Sequence, residues 1–197
     1  MTFLPETEKE PIVSNYMKFE PGENRFRVLS SSIVGMEYWV SEGDKRQPIR
    51  KRMDESIPVE ELGIDKWGNP ETPKYFWAFV VWNYDAGKVQ ILEITQSTIR
   101  KMIKAYVNNK KYGDPKGYDF VVTKSGEAKE TEYAVVADPP EKIDPAIEKA
   151  YKATYVNLES LFENGDPFTK PQNDAGEIFD KETGVTEQEI NIDDIDM

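Results

Sequence analysis

Apolar residues recur along most of the chain at the two-residue spacing of strands, interrupted by clusters of Gly, Pro, Asn and Asp. After Pro21 and Gly22, which read as a turn, Phe26 and Val28 face one way and Arg25 and Arg27 the other, predicting a strand with one wet, basic face. Residues 36–53 predict a second strand that turns at Glu42 to Asp44 and returns through a basic run, forming a hairpin arm. Residues 54–73 carry Pro58, Gly63, Gly68, Pro70 and Pro73 and predict an irregular surface loop with a short helical turn around Val59 to Leu62. Residues 74–94 hold two apolar runs joined by Asp85, Ala86 and Gly87, the pattern of a β-hairpin. Within it Tyr75, Trp77, Phe79 and Val81 share one face and Phe76, Ala78, Val80 and Trp82 the other, so one set is expected to be core.

The period then changes. Ile99, Met102, Ile103 and Tyr106 fall at helical spacing while Arg100, Lys101 and Lys104 point elsewhere, predicting an amphipathic helix capped by Thr95 or Ser97 and ending near Asn109. Residues 118–138 predict another hairpin, turning at Ser125 and Gly126, and Pro139 and Pro140 close the sheet. Asp144 as cap and Pro145 at the first helical position start a terminal helix. The expected fold is mainly β: an OB-like barrel of five or six strands with one inserted amphipathic helix and a C-terminal helix. An α+β sandwich would give a similar string of elements. Residues 1–15 read as a flexible arm, 16–162 as the core, and 163–197 as a disordered acidic tail.

Composition narrows the chemistry. The chain has no Cys and no His, which removes disulfides, the usual zinc sites, thiol nucleophiles and imidazole acid–base catalysis. Neither a basic, apolar leader nor a stretch of about 20 apolar residues is present, so a soluble, intracellular protein without membrane contact is expected. The net charge of −12 argues at first against a polyanionic partner. Its distribution reverses that argument, because residues 159–197 hold 12 acids against 2 bases while residues 1–158 are nearly balanced, at 25 against 23. The acidity is expected to be a property of the tail.

The stretches PGENRFRVL at 21–29, KYFWAFVVWNYDAGKVQILEIT at 74–95, YGDPKGYDFVVTKSG at 112–126 and TEYAVV at 131–136 resemble, in that order, the single-stranded DNA-binding proteins of tailed phages. The resemblance covers about two thirds of the core. It implies an OB barrel and single-stranded DNA held in a basic, aromatic-lined cleft, acting in DNA replication, recombination and repair in the cytoplasm of an infected bacterial host. It also implies an acidic C-terminal tail that contacts replication partners and competes with DNA for the cleft. The chain departs from some relatives in lacking the Cys and His of a zinc ribbon and in having an acidic N-terminal arm where theirs is basic.

Sequence-tolerant binding of a single strand needs cations that follow the phosphates and rings on which bases stack. Lys45, Arg46, Arg50, Lys51 and Arg52 follow Tyr38 and Trp39, and Lys74 precedes Tyr75 and Trp77, which are assigned to the cleft side of their strand. Arg25 and Arg27 are candidates for the groove floor, and Lys111, Tyr112 and Lys116 for a second cluster with Lys110 and Tyr118. Each has a structural alternative: a solvated hairpin, core rings, a wet strand face, or lysines that complement a helix dipole. In the tail, Ile192, Asp193, Asp194, Ile195, Asp196 and Met197 alternate aliphatics with acids, the pattern of a docking peptide for a polymerase, helicase or nuclease. No catalytic residue, metal or cofactor is implied. The rival readings are an acidic interaction or DNA-mimic protein, and a Mg-dependent nuclease built on Asp114 or Asp119 with Glu127 and Lys129.

Overall fold

The computed structural model describes residues 14–42, 45–64 and 68–170. The strands are β1 (Tyr16–Met17), β2 (Gly22–Val28), β3 (Ile33–Glu42), β4 (Lys45–Arg52), β5 (Lys74–Asn83), β6 (Lys88–Ile94), β7 (Asp119–Ser125) and β8 (Glu132–Ala137). Helix α1 (Ser97–Val107) lies between β6 and β7, and α2 (Pro145–Ala153) follows β8. The protein is mainly β, as expected, but its sheet has eight strands where five or six were predicted, and the sheet does not close into a barrel. Its path runs β1-β6-β5-β2-β7-β8, with the β3–β4 arm attached to β5. Between the ends of that path, Phe19 lies 6.4 Å from the Phe26 ring and 6.2 Å from Tyr133, and Lys124 Nζ donates to its carbonyl at 2.9 Å.

The β5–β6 hairpin runs in register from Trp77 opposite Ile94 to Asn83 opposite Lys88. Its turn is held by the Asn83 side chain, whose oxygen accepts from the backbone N–H of Asp85 at 3.0 Å, and Gly87 supplies the left-handed residue at φ +60. One face of the hairpin puts Phe79, Val81, Leu92 and Ile94 against Ile99 and Ile103 of α1 and against Phe26, Phe120 and Val122 of β2 and β7. The other face is covered as well: Val80 and Val89 pack under Ile147 of α2, and Phe76, Ala78 and Ile91 under Leu161. Burial on both faces corrects the expectation that only one set would be core, and it explains why β5 reads as a continuous apolar run. Each of the buried Val, Leu, Ile and Phe side chains among these contributes on the order of 1.5–3 kcal/mol.

Several boundaries differ from the sequence reading for local reasons. Helix α1 has Gln96 as its N-cap with no side-chain cap bond, so burial of Ile99 and Ile103 sets its start instead of Thr95 or Ser97. The β7–β8 connection is longer than a two-residue turn and contains a 3-10 turn at Ala128–Glu130. Gly126 is required there, since a Cβ at its φ of +71 would collide with the Glu130 carbonyl. Asp144 caps α2 as predicted, accepting from the Ala146 N–H at 2.8 Å, but the helix stops at Ala153 and the chain resumes as a 3-10 segment, Leu158–Glu163. Packing runs past residue 162: Pro167 is buried and Phe168 lies against the Phe76 cluster. Of the arm expected at residues 1–15, Asn15 is held to β6, its carbonyl accepting from the Ile91 N–H at 2.9 Å, while residues 1–13, the hairpin tip at 43 and 44, and the tail residues Ile192, Asp193, Asp194, Ile195, Asp196 and Met197 lie outside the described residues.

Candidate nucleic-acid interface

The basic run lies on β4, paired with β3 from Gly35 opposite Arg52 to Glu42 opposite Lys45. This register sets Arg50 directly across from Glu37, and the two meet at 3.4 Å while Arg50 also reaches Glu93 of β6 at 2.6 Å. All three side chains are largely buried. Burial raises the Glu37 pKa, and Arg50 partly offsets the rise. Arg52 pairs with Glu159 at 2.6 Å and lies 4.6 Å above the Phe162 ring; Arg46 pairs with Glu71 and lies 5.4 Å above Trp39. Lys51 alternates to the opposite face and makes no ion pair among the described residues. In register it stands beside Met36, which in turn stands beside Tyr75, so Lys51 and Tyr75 share one face.

The rings proposed for stacking separate into two kinds. Tyr38 is 2% exposed, and its hydroxyl donates to Glu61 at 2.6 Å. Burial first, and then that bond, push its pKa up to about 12. It is a core residue, contrary to its assignment to the cleft. Trp39 is half-buried beneath Arg46, near exposed Lys74. Tyr75, by contrast, is 49% exposed, and Trp77 is half-buried two residues along the same face.

Arg27 corrects the expectation of a wet strand face. It is 3% exposed, paired with Asp119, and donates to the Glu141 carbonyl at 3.1 Å. Arg25 bridges Asp119 at 3.0 Å and Asp138 at 2.6 Å, and Tyr84 donates to the same Asp119 at 3.2 Å. Asp119, one carboxylate of the nuclease-like spacing, is thus engaged by two guanidinium groups and a phenol. Burial and then Asp119 push the Tyr84 pKa up to about 12. In the second cluster Tyr112 packs edge-on against Tyr106 and Tyr118 at 5.0 and 5.2 Å, a structural role, and Lys111 is exposed. Lys116 lies 3.7 Å from Asp114, both well exposed, at the rim of a cavity.

That cavity, about 660 Å³, opens between the C-terminal end of α1, the Ser30–Ser32 link and the β7 approach. A smaller depression, lined by Tyr75, Arg100 and Lys101, shares Trp77 and Lys104 with it, so the two adjoin. The Arg100 guanidinium lies 5.7 Å above the Tyr75 ring. Lys101 and Lys104 are exposed and make no ion pair among the described residues. The structure therefore places Tyr75 and Trp77 in one depression, Trp77 and Lys116 in the adjoining cavity, and Tyr38, Trp39, Arg46 and Lys74 around a separate cavity of about 550 Å³ on the arm, while Arg27 lines none of the three. Arg100, Lys101 and Lys104 were absent from the predicted site. A signal for them existed: the 20 residues between Glu93 and Asp114 hold five cations and no acid, in a chain of net charge −12.

Comparison with family models, curated proteins and solved structures finds no match to this chain.

Proposed function

We propose that the chain binds single-stranded DNA without sequence preference, in the groove formed by Tyr75 and Trp77 on one wall and Arg100, Lys101 and Lys104 on the other. The observation that carries this reading is the juxtaposition of accessible rings with cations that have no acidic partner. Rings accept the face of any base, at about 1–3 kcal/mol per stack, and unpaired lysines neutralise phosphates at no cost in broken ion pairs. Lys51, on the Tyr75 face, extends the cationic track in one direction, and Lys116, beside Asp114, lies in the other.

The strand order supports an OB-type reading of the core. Taken alone, β6-β5-β2-β7-β8 with α1 between β6 and β7 is a three-strand meander joined through its first strand to a hairpin, the connectivity of a partly open OB barrel. The tailed-phage resemblance points the same way, to a replication, recombination and repair protein that coats exposed single strands. The acidic tail completes the reading as a docking peptide for a polymerase, helicase or nuclease, its carboxylates competing with DNA for the groove. Removing residues 171–197, which spares the packed Phe168, is expected to tighten binding at low salt; unchanged affinity there would exclude the competition.

Titration with oligo(dT), followed by tryptophan emission and by anisotropy of the labelled oligonucleotide, tests the proposal. Quenching that recovers with added salt is the expected result. Flat emission and flat anisotropy at low salt would refute it.

A further inference from the structure

Resting on the single-stranded DNA reading, we infer that the 660 Å³ cavity next to Trp77 is a subsite for one unstacked nucleobase, turned out of the strand and inserted between α1 and the Ser30–Ser32 link. A cavity of this size lies within the range of small-ligand pockets, and a stacking ledge alone would need none. Its floor is apolar, made by Val28, Phe79, Ile103 and Phe120, and Trp77 stands at the junction with the outer ledge where Tyr75 lies.

The rim differs from the floor. Ser31, Ser32 and Asn108 line it, and their hydroxyl and amide groups make no hydrogen bond within the described structure. A hydroxyl and a carboxamide each both donate and accept, so together they match the edge of any base without choosing among them. Lys104 flanks the opening with no acidic partner among the described residues, where a phosphate next to an everted base would pass, and Lys116 flanks it 3.7 Å from Asp114, a contact it would exchange for the phosphate on the other side. An apolar interior, a two-way polar rim and a cationic border together match a base with its backbone better than an aliphatic chain or an acidic peptide, neither of which has both parts.

The subsite would also discriminate strand state. A paired base is held in the stack with its hydrogen-bonding edge occupied, and turning it out costs a few kcal/mol. An unpaired base enters freely, so the cavity selects single strands for a reason separate from charge.

The test fills the cavity without touching the ledge. Val107, 41% exposed at the end of α1, and Val34, 40% exposed on β3 opposite Trp77, both line its mouth, where added bulk meets solvent before it meets core. Val107→Trp, with Val34→Phe as a second variant if the first melts early, would be titrated with oligo(dT) and with an abasic strand of equal length and charge. The expected result is a loss of roughly 5- to 100-fold for oligo(dT), the range of one base contact, with less than about twofold change for the abasic strand. Wild-type affinity for oligo(dT) in a folded variant would overturn the subsite while leaving the ledge reading intact. Equal losses on both strands would also overturn it, since they would mean that the substitution had disturbed the phosphate track. If the unaltered protein binds neither strand, the single-strand reading itself falls.

Discussion

Arg46, Arg50 and Arg52 on the β3–β4 arm each lie against a carboxylate, Glu71, Glu93 and Glu159, whereas Lys101 and Lys104 on α1 lie against none among the described residues. The two regions have similar positive charge in sequence and opposite electrostatic availability in space. A guanidinium already satisfied by a carboxylate must break that contact before it can hold a phosphate, and burial makes the break costlier. An exposed lysine has only counterions to release. Charge density along a chain therefore says less about a polyanion site than the number of acids folded against the charges.

The largest effect that would test this contrast lies on the arm. Arg50→Ala leaves Glu37 and Glu93 facing one another in a largely buried position, and a stability loss of about 3–5 kcal/mol is expected by thermal or denaturant unfolding. DNA affinity, measured where the variant is still folded, should stay within about twofold of wild type. A stable variant that has lost DNA binding would reverse the assignment of the two regions.

Next comes the helix. Lys101→Glu with Lys104→Glu is expected to weaken oligo(dT) binding about 100-fold at low salt and to lower the slope of log affinity against log salt by about 1.4, the loss of two phosphate contacts. Unfolding should change little, since both side chains are exposed. A smaller but specific effect is expected at the ledge. Tyr75→Ala removes a half-exposed ring and about 1–3 kcal/mol of stacking, while the salt slope stays unchanged. A change in slope instead of intercept would show that Tyr75 acts through the Arg100 above it.

How far the chain could be read in advance follows the same division. The strands and the start of α2 were legible because apolar alternation, the turn at Gly87 and the cap at Asp144-Pro145 act locally. Strand β1 and the open sheet were missed: β1 is only Tyr16 and Met17, paired with Ile91 and Leu92 far along the chain, and carries no periodicity of its own. The burial of Arg27 was not visible because its partner, Asp119, is 92 residues away. For the same reason the arm's arginines looked free, with Glu93 and Glu159 arriving from β6 and from the segment after α2. Tyr75 and Trp77 were assigned to the cleft side of their strand from the alternation of β5, which tells the two faces apart without telling which positions stay accessible. Tyr75 is exposed because it lies at the start of the strand, just before the core begins at Phe76, whereas Trp77 is half-buried against that core.

Tyr38 gives the smallest effect and the finest distinction between an arm ring and a ledge ring. Burial and the bond to Glu61 raise its pKa from 10.0 to about 12, so the folded protein holds the phenolic proton more tightly than the unfolded chain does. Stability from this group is then fully present below pH 10 and is lost as the pH rises through about 12. Tyr38→Phe removes the proton and the bond together, costing about 1.5 kcal/mol near neutrality, the low end for a hydrogen bond to a charged acceptor because Glu61 is exposed. The gap between variant and wild type should narrow as unfolding is measured at rising pH, because only the wild type loses this contribution. The raised pKa of Tyr84 acts in both proteins and cancels from the difference. Oligo(dT) affinity at neutral pH should be unaltered, in contrast to Tyr75→Ala. A gap that stays constant to pH 12, or a loss of DNA binding on removing this one hydroxyl, would return Tyr38 to the groove and dissolve the contrast between the two regions.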